Sequence, residues 1–168
     1  MTELDLDAHA RDLMDVNRYV TLGTADADGT PWVSPVYFAA GDNPEIFWMS
    51  ALDAKHSRNI ADRPDVSMVI FDSTVLPYHG RAVYLSGRAA ELADHDDLER
   101  AVGIYPGPAS RDATPVTLAD VTDPSEYRLY RATITEASVL CPREPRQPCP
   151  AHGIAADHRT PVTPWPVA

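Results

Sequence analysis

The chain has 168 residues, of which 44% are hydrophobic and 23% are charged, a balance typical of a single globular domain. Its 25 acidic residues outnumber the 14 basic ones, and the net charge of -11 repels nucleic acid and anionic membrane surfaces. No apolar run approaches the roughly 18 residues of a transmembrane helix, and the acidic N-terminus does not resemble a signal peptide. We therefore expect a cytoplasmic protein with no nucleic-acid or membrane partner.

The first third of the chain predicts one helix followed by antiparallel strands. Apolar residues recur at helical spacing over residues 4–16, which indicates an amphipathic helix. From residue 19 the period changes to two, and strands are predicted over residues 19–25 and 30–40, with a hairpin turn at residues 26–29. A second turn leads into a strand of large apolar side chains, residues 46–49, which ends at Ser50.

The segment after Ser50 carries the most informative chemistry. Asp53 is a candidate cap for a short helix over residues 54–61, and Pro64 prevents that helix from continuing. The helix contains five consecutive polar or basic residues, Lys55, His56, Ser57, Arg58 and Asn59. Backbone N–H groups, the helix dipole and fixed donors converge at such a junction, which suits a phosphate monoester. The alternative is a solvated helix face with ordinary surface charge.

The second half of the chain predicts three more strands. They cover residues 65–72, 80–93 and 127–140, and Gly87 interrupts the second of them, which suggests a bulge or a close approach. Asp94 is the predicted cap of a helix that ends at Pro106. Six strands with short turns and small peripheral helices predict a mainly β protein, a closed or nearly closed antiparallel barrel.

The last 28 residues contain seven of the 16 prolines, which excludes a long strand or helix. We therefore divide the chain into a barrel domain, residues 1–140, and a proline-rich arm, residues 141–168. The arm either crosses the domain or a partner subunit or is disordered, and Trp165 favours partial docking. Its four possible metal ligands, Cys141, Cys149, His152 and His158, have a spacing that matches no common zinc finger. The prediction is no metal site, with zinc binding as the alternative.

Three segments, in this order, resemble the pyridoxamine 5'-phosphate oxidase-like FMN-binding split β-barrels. They are residues 29–38, residues 46–60 and residues 83–92, and the similarity extends over roughly residues 19–140. The resemblance implies a six-stranded, Greek-key-like split β-barrel with short peripheral helices. It also implies a homodimer that binds FMN at the subunit interface.

The same resemblance implies which residues bind the cofactor. Ser50 occupies the position of a hydroxyl that contacts the FMN phosphate, and Lys55 and His56 occupy the paired basic positions, with His56 in place of the usual Lys. The complete predicted set lies on two strands and the short helix: Ser34, Pro35, Val36, Trp48, Met49, Ser50, Lys55, His56, Arg58 and Asn59.

The substrate is less defined. Pyridoxine-phosphate oxidases carry an Arg where this chain has Ser34, a Lys where it has Ala39 and a Gln near Ala82, so vitamin B6 phosphate is a poor candidate. Tyr78 and His79, in a loop, are candidate substrate-binding residues, the alternative being ordinary exposed positions.

No acid–base motif is present, which leaves the catalytic residues unknown. This absence fits a flavoprotein, whose redox chemistry the flavin carries, and equally fits a non-catalytic binding protein. We predict an FMN-dependent oxidoreductase acting on an unidentified small molecule. An F420-dependent reductase and a non-catalytic flavin-binding or sequestering protein are the alternatives.

Overall fold

The computed structural model describes residues 4–166, and within that range the chain forms eight β-strands and three α-helices. The helices are α1 (Leu6–Val16), α2 (Lys55–Asp62) and α3 (His95–Ile104). The strands are β1 (Tyr19–Ala25), β2 (Pro31–Tyr37), β3 (Ala39–Ala40), β4 (Glu45–Ala51), β5 (Asp65–Phe71), β6 (Ala82–Glu91), β7 (Tyr127–Leu140) and β8 (Arg159–Pro161). None of the described helices has the length and apolar character needed to cross a membrane.

The strands form one curled antiparallel sheet in the order β2-β1-β5-β6-β7-β4-β3, with β8 paired to β7. The prediction of a mainly β, split-barrel fold with small helices is confirmed. One predicted strand, residues 30–40, is divided into β2 and β3 at Phe38, whose N–H group donates to the Arg18 carbonyl. The long strand β7 connects the two halves of the sheet because it pairs with β6 on one side and β4 on the other.

Buried residues form two hydrophobic clusters, one on each face of the sheet. The larger cluster packs α1 and part of α2 against the strands, and the smaller one lies beneath α3. Because side chains alternate along a strand, Ile46 and Trp48 of β4 enter the larger cluster and Phe47 enters the smaller one. This double burial explains why the β4 sequence is apolar on both faces.

Gly87 lies at an irregularity in the pairing of β6 with β7, where the register shifts between Ser86 and Gly87. A methyl group at this position would collide with the carbonyl oxygen of Thr133 on the neighbouring strand. The predicted bulge is therefore confirmed, and glycine is required because the two backbones approach closely.

The helix starts agree with the sequence in one case and differ in another. Asp94 caps α3 by accepting hydrogen bonds from the N–H groups of Asp96 and Asp97, as predicted. Asp53 was expected to cap α2, but the backbone remains extended for one further residue and Ala54 is the N-cap. The Asp53 carbonyl instead accepts a hydrogen bond from Arg58. Among the described residues, no side chain caps α2.

The proline-rich arm lies against the sheet. Strand β8 pairs with the end of β7, the Val162 N–H group donates to the Ala137 carbonyl, and Trp165 is only 5% exposed within the larger cluster. The predicted docking of Trp165 is confirmed. The division of the chain at residue 140 stays a prediction, because the arm and the barrel share this core.

Candidate functional site

Two serines and a histidine meet where β4 leads into α2, next to β2. The His56 ring lies between the two hydroxyls, with Nε2 2.8 Å from Ser50 Oγ and Nδ1 3.1 Å from Ser34 Oγ. The Trp32 indole N–H donates to the same Ser34 oxygen at 2.9 Å. We refer to Ser34, Ser50, Lys55, His56 and Arg58 as the basic cluster.

The fold favours the neutral form of the His56 imidazole. Burial of the ring lowers the pKa of His56 from its ordinary value of 6.5. A neutral imidazole has one nitrogen that donates and one that accepts, so each serine hydroxyl finds a complementary partner. Ser50 is itself buried, and the Ser57 hydroxyl donates to the Ala51 carbonyl, which holds the end of β4 against α2.

The two permanent cations of the basic cluster lie on its exposed side. Lys55, the only lysine of the chain, forms an ion pair with Asp26 in the β1–β2 turn, with Nζ 3.3 Å from Oδ2. Hydrogen bonds, chiefly from the Thr30 N–H group and also from Lys55, lower the pKa of Asp26. Asp26 was assigned only to the turn, and nothing in the sequence indicated that it would pair with Lys55, since the pairing depends on how α2 packs against the β1–β2 hairpin.

The N-terminus of α2 adds a favourable position for an anion. The first turn of α2 contains no acidic residue, and within residues 4–166 its N–H groups have no capping side chain. Such N–H groups carry the positive end of the helix dipole. Together with two hydroxyls, an imidazole and two cations, they provide the donor set that a phosphate group requires.

Two of the predicted cofactor-binding side chains lie in the interior instead. Trp48 is fully buried and stacks on Tyr130, with 5.7 Å between the ring centroids. Asn59 is 3% exposed and donates to the Thr24 hydroxyl. The motif predicts both by position alone, and in the structure both side chains point to the core.

The remaining predicted residues divide between surface and core. On β2, Pro35 is exposed and Val36 is buried. Met49 is half-buried and packs against the smaller cluster. Only Pro35 of these three therefore presents a side chain to the surface next to Ser34.

Tyr78 and His79 lie far from the basic cluster within one chain. Ser50 pairs with Arg128 near the start of β7, whereas Gly80 lies against Leu140 at its end. The twelve intervening steps correspond to roughly 40 Å of extended strand. His79 lies near the arm, with Nδ1 3.5 Å from a carboxylate oxygen of Glu144. Tyr78 and His79 are therefore not next to the basic cluster of the same subunit, and their assignment as substrate-binding residues stays a prediction.

A second group of side chains converges in the arm. The ligand atoms of Cys141, Cys149, His152 and His158 all lie within 4.8 Å of one another. Spacing along the chain gave no reason to expect this convergence, because the pairing of β8 with β7 creates it. Both cysteines are free thiols and are buried.

The antiparallel sheet, curled into a half-barrel and flanked by three short helices, is a split β-barrel. Residues 6–141 match the family described as pyridoxamine 5'-phosphate oxidase, and the chain belongs to that family. A comparison with curated proteins found no match.

Solved structures share this fold at low sequence identity. A heme binding protein from Mycobacterium smegmatis has a TM-score of 0.67 and 19% identity, covering 96% of this chain and 60% of that one. A heme storage protein from Vibrio cholerae has a TM-score of 0.60 and 18% identity, covering 79% and 92%. A FAD-binding protein from Mesorhizobium loti has a TM-score of 0.58 and 22% identity, covering 77% and 90%. These similarities show the fold alone.

Proposed function

We propose that this chain binds FMN, with the phosphate on the basic cluster, and that it acts as a homodimeric oxidoreductase on a small molecule. Its family membership supports a flavin. The observation that carries the proposal is the uncapped N-terminus of α2, which lies next to the Ser50 hydroxyl and the His56 ring and has two further cations on the same helix. Bound FMN supplies the redox chemistry, and the protein binds and orients it and excludes water.

The hydrogen bonds already present in the basic cluster do not prevent phosphate binding. The Lys55–Asp26 pair is partly exposed, and surface ion pairs of this kind contribute little to stability. A hydrogen bond from a cation to phosphate contributes roughly 1.5 to 3 kcal/mol. Lys55 therefore gains free energy by turning from Asp26 to the phosphate, and Arg58 does so by releasing a backbone carbonyl.

The surface next to the basic cluster suits a flat apolar ring and a second subunit. In the part of the chain that the structure describes, β2 pairs only with β1, so its other edge is free. It exposes Trp32 and Val33, at 45% and 60%, next to Ser34. An apolar edge strand is prone to aggregation unless it is covered. A partner subunit would cover β2 and place the isoalloxazine ring between the two chains.

Vitamin B6 phosphate remains a poor candidate substrate. Ala39 and Ala82 are buried and offer no charge, and Ser34 is engaged with His56 and Trp32. The proposed substrate is therefore a different small molecule. The two free cysteines fit a reducing compartment, which supports a cytoplasmic location.

Lys55 provides a direct test of the phosphate site because it is the only lysine. FMN should protect Lys55 from acetylation, measured by peptide mass spectrometry, whereas riboflavin, which lacks the phosphate, should not.

Arg58→Ala should weaken FMN binding about tenfold or more and leave riboflavin binding unchanged. Arg63→Ala, at the other end of α2, is the matched control. Equal losses of FMN and riboflavin affinity would show that Arg58 is structural.

The absorption spectrum of the purified protein distinguishes FMN from F420 and from heme. Reoxidation of bound, reduced flavin by added acceptors separates an oxidoreductase from a non-catalytic flavin-binding protein. Sedimentation at micromolar concentration tests the dimer, whose interface should bury at least about 1,200 Å². A monomer that binds FMN with full affinity would contradict the interface site.

A further inference from the structure

Four side chains from three separate parts of the arm converge on one point. Cys141 directly follows β7, Cys149 and His152 lie in a tight turn, and His158 directly precedes β8. We refer to these four residues as the arm cluster. They are independent of the basic cluster, because β7 separates the two by almost its full length.

We propose that the arm cluster binds one Zn²⁺ ion in a tetrahedral Cys2His2 site that holds the arm against the barrel. Two thiolates and two imidazoles are the donor set that Zn²⁺ prefers over Mg²⁺ or Ca²⁺. Four protein ligands leave no open coordination position, which is typical of a structural rather than a catalytic zinc site.

The three distances from His152 Nδ1 to the other ligand atoms agree with this geometry, and all four atoms lie within 4.8 Å of one another. Zn–S bonds of about 2.3 Å and Zn–N bonds of about 2.0–2.1 Å at tetrahedral angles place two nitrogens about 3.3 Å apart and a sulfur and a nitrogen about 3.6 Å apart. His152 Nδ1 lies 3.3 Å from His158 Nε2, 3.6 Å from Cys141 Sγ and 3.7 Å from Cys149 Sγ. The observed distances therefore leave room for a zinc ion between the four atoms.

Hydrogen bonding alone does not account for this convergence. His152 Nδ1 has three potential partners within these distances, but an imidazole nitrogen has either one hydrogen or one lone pair. At most one of the three contacts can be a well-directed hydrogen bond. A cation at the centre gives all four atoms a partner at once.

Neighbouring groups prepare two of the ligands. His158 Nδ1 lies 2.9 Å from the Ala156 carbonyl, which can only accept, so this nitrogen carries the hydrogen and Nε2 presents its lone pair to the arm cluster. The Thr160 hydroxyl lies 2.9 Å from Cys141 Sγ and can donate to a thiolate there. Such supporting hydrogen bonds orient the ligands of a metal site.

The backbone fixes the positions of the four residues. The Cys141 N–H group donates to the His158 carbonyl at 3.0 Å, which joins the two ends of the loop. The Cys149 carbonyl accepts from Gly153 at 2.8 Å, and Gly153 has a φ of +68°, which favours glycine. Arg143 and Asp157 add an ion pair across the loop at 2.6 Å.

A metal ion would stabilise the loop between β7 and β8, which has little secondary structure or apolar packing of its own. Between residues 141 and 158, all described by the structure, no helix or strand forms. The loop is closed at its base, but its interior has few apolar side chains to bury. A central ion linking both ends to the turn would restrict the open conformations of the loop.

The test uses the full chain, expressed with zinc supplementation and purified with a non-thiol reductant. Elemental analysis should find one zinc per chain. After removal by a chelator, Co²⁺ should bind with the visible spectrum of a tetrahedral site and with thiolate-to-metal bands, which only Cys141 and Cys149, the two cysteines of the chain, can produce. Wild type without stoichiometric zinc or without the tetrahedral Co²⁺ spectrum would overturn the proposal.

Variants identify the ligands. Cys149→Ser and His158→Gln should each lower zinc affinity at least tenfold, whereas His95→Gln, an exposed histidine on α3, should not. Chelation should increase hydrogen exchange in residues 141–161 and leave FMN and riboflavin binding unchanged, so this proposal can fail independently of the proposed flavin site. If Cys149→Ser does not fold, the zinc affinity of His152→Gln and the Co²⁺ titration of wild type still test the zinc site. A Cys141–Cys149 disulfide in protein purified without oxidant, or unaltered affinity in His158→Gln, would show that the arm cluster is not a zinc site.

Discussion

The basic cluster and the arm cluster both gather polar side chains from distant parts of the chain, but their atoms are arranged differently. In the basic cluster the groups form pairs, with His56 between two hydroxyls and Lys55 on Asp26. In the arm cluster the four potential ligand atoms all lie within 4.8 Å of one another. Paired donors at an open helix end suit an extended anion, whereas atoms around one point suit a single cation.

The two clusters also differ in whether a single subunit provides the complete binding site. The arm cluster is formed by residues of a single subunit, with two buried cysteines, a half-buried His158 and an exposed His152. The basic cluster lies next to β2, an edge strand with exposed apolar side chains. We therefore expect metal binding to be independent of protein concentration, whereas flavin binding should depend on dimer formation.

The largest expected effect comes from removing the side chain that packs the arm against the barrel, which should affect the arm cluster and not the basic cluster. Trp165 is buried in the larger hydrophobic cluster, and Trp165→Ala should cost about 3 to 5 kcal/mol of unfolding free energy. Zinc affinity should fall, while the variant should retain FMN binding below its unfolding temperature. Denaturant titration and hydrogen exchange provide the measurements, and Trp165→Phe is the milder control. If FMN and zinc affinities fell by the same factor, the clusters would not be independent.

A substitution in the sheet that carries both clusters should change the stability of the whole domain and should not distinguish one cluster from the other. Gly87→Ala forces a methyl group against the Thr133 carbonyl and should cost about 1 to 3 kcal/mol. Gly103 lies inside α3 with no atom within 4 Å of an added Cβ, so Gly103→Ala should instead stabilise by up to about 1 kcal/mol. Thermal unfolding of both variants tests the sign. Equal effects would show that the bulge tolerates a side chain.

The hydrogen bond from Thr160 to Cys141 offers a smaller change, confined to the arm. Thr160→Val keeps the shape but removes the hydroxyl, and zinc affinity should fall about tenfold, or about 1.4 kcal/mol. Thr160→Ser restores the hydroxyl and should recover most of the affinity. Competition with a chelator measures both variants, and FMN binding serves as the internal control. Identical affinities for Val and Ser would show that the hydroxyl has no role.

Much of the fold could be predicted because local patterns and packing agree. The alternation in β5 and the Asp94 cap each had a single consistent interpretation. The cofactor-binding residues were less certain because a motif gives positions but not side-chain directions. Trp48 and Asn59 occupy motif positions, yet strand alternation and helix rotation direct both to the core.

The arm shows the opposite limit of sequence analysis. The spacing of Cys141, Cys149, His152 and His158 was unlike any common zinc finger, and it led to the prediction of no metal site. Strand pairing between β7 and β8 brings the first and last of these residues together, whatever the number of residues between them. Spacing along the chain is informative about a metal site when the potential ligands lie on one local element, and these four residues do not.

The smallest expected effect concerns the protonation of His56. Burial lowers its pKa below 6.5 in the folded protein, so the fold favours the neutral ring. Without ligand, this contribution to stability is present above pH 6.5 and is lost as the pH falls from 6.5 towards the folded pKa. His56→Gln should remove this loss of stability. The measurement is the difference in unfolding free energy between wild type and His56→Gln across this pH range. A difference is needed because burial also lowers the pKa of His9.

Bound FMN should reverse the sign of this pH dependence. A phosphate next to His56 favours the charged imidazole, so FMN binding takes up a proton and FMN affinity should rise as the pH falls from about 8 to about 6. Protonation of the phosphate itself, with a pKa near 6, opposes this rise and keeps it below about tenfold. Riboflavin affinity should change little. Titrations of wild type and His56→Gln across this range are the measurement, and coincident FMN curves would show that His56 does not contact the phosphate and serves only to connect Ser34 with Ser50.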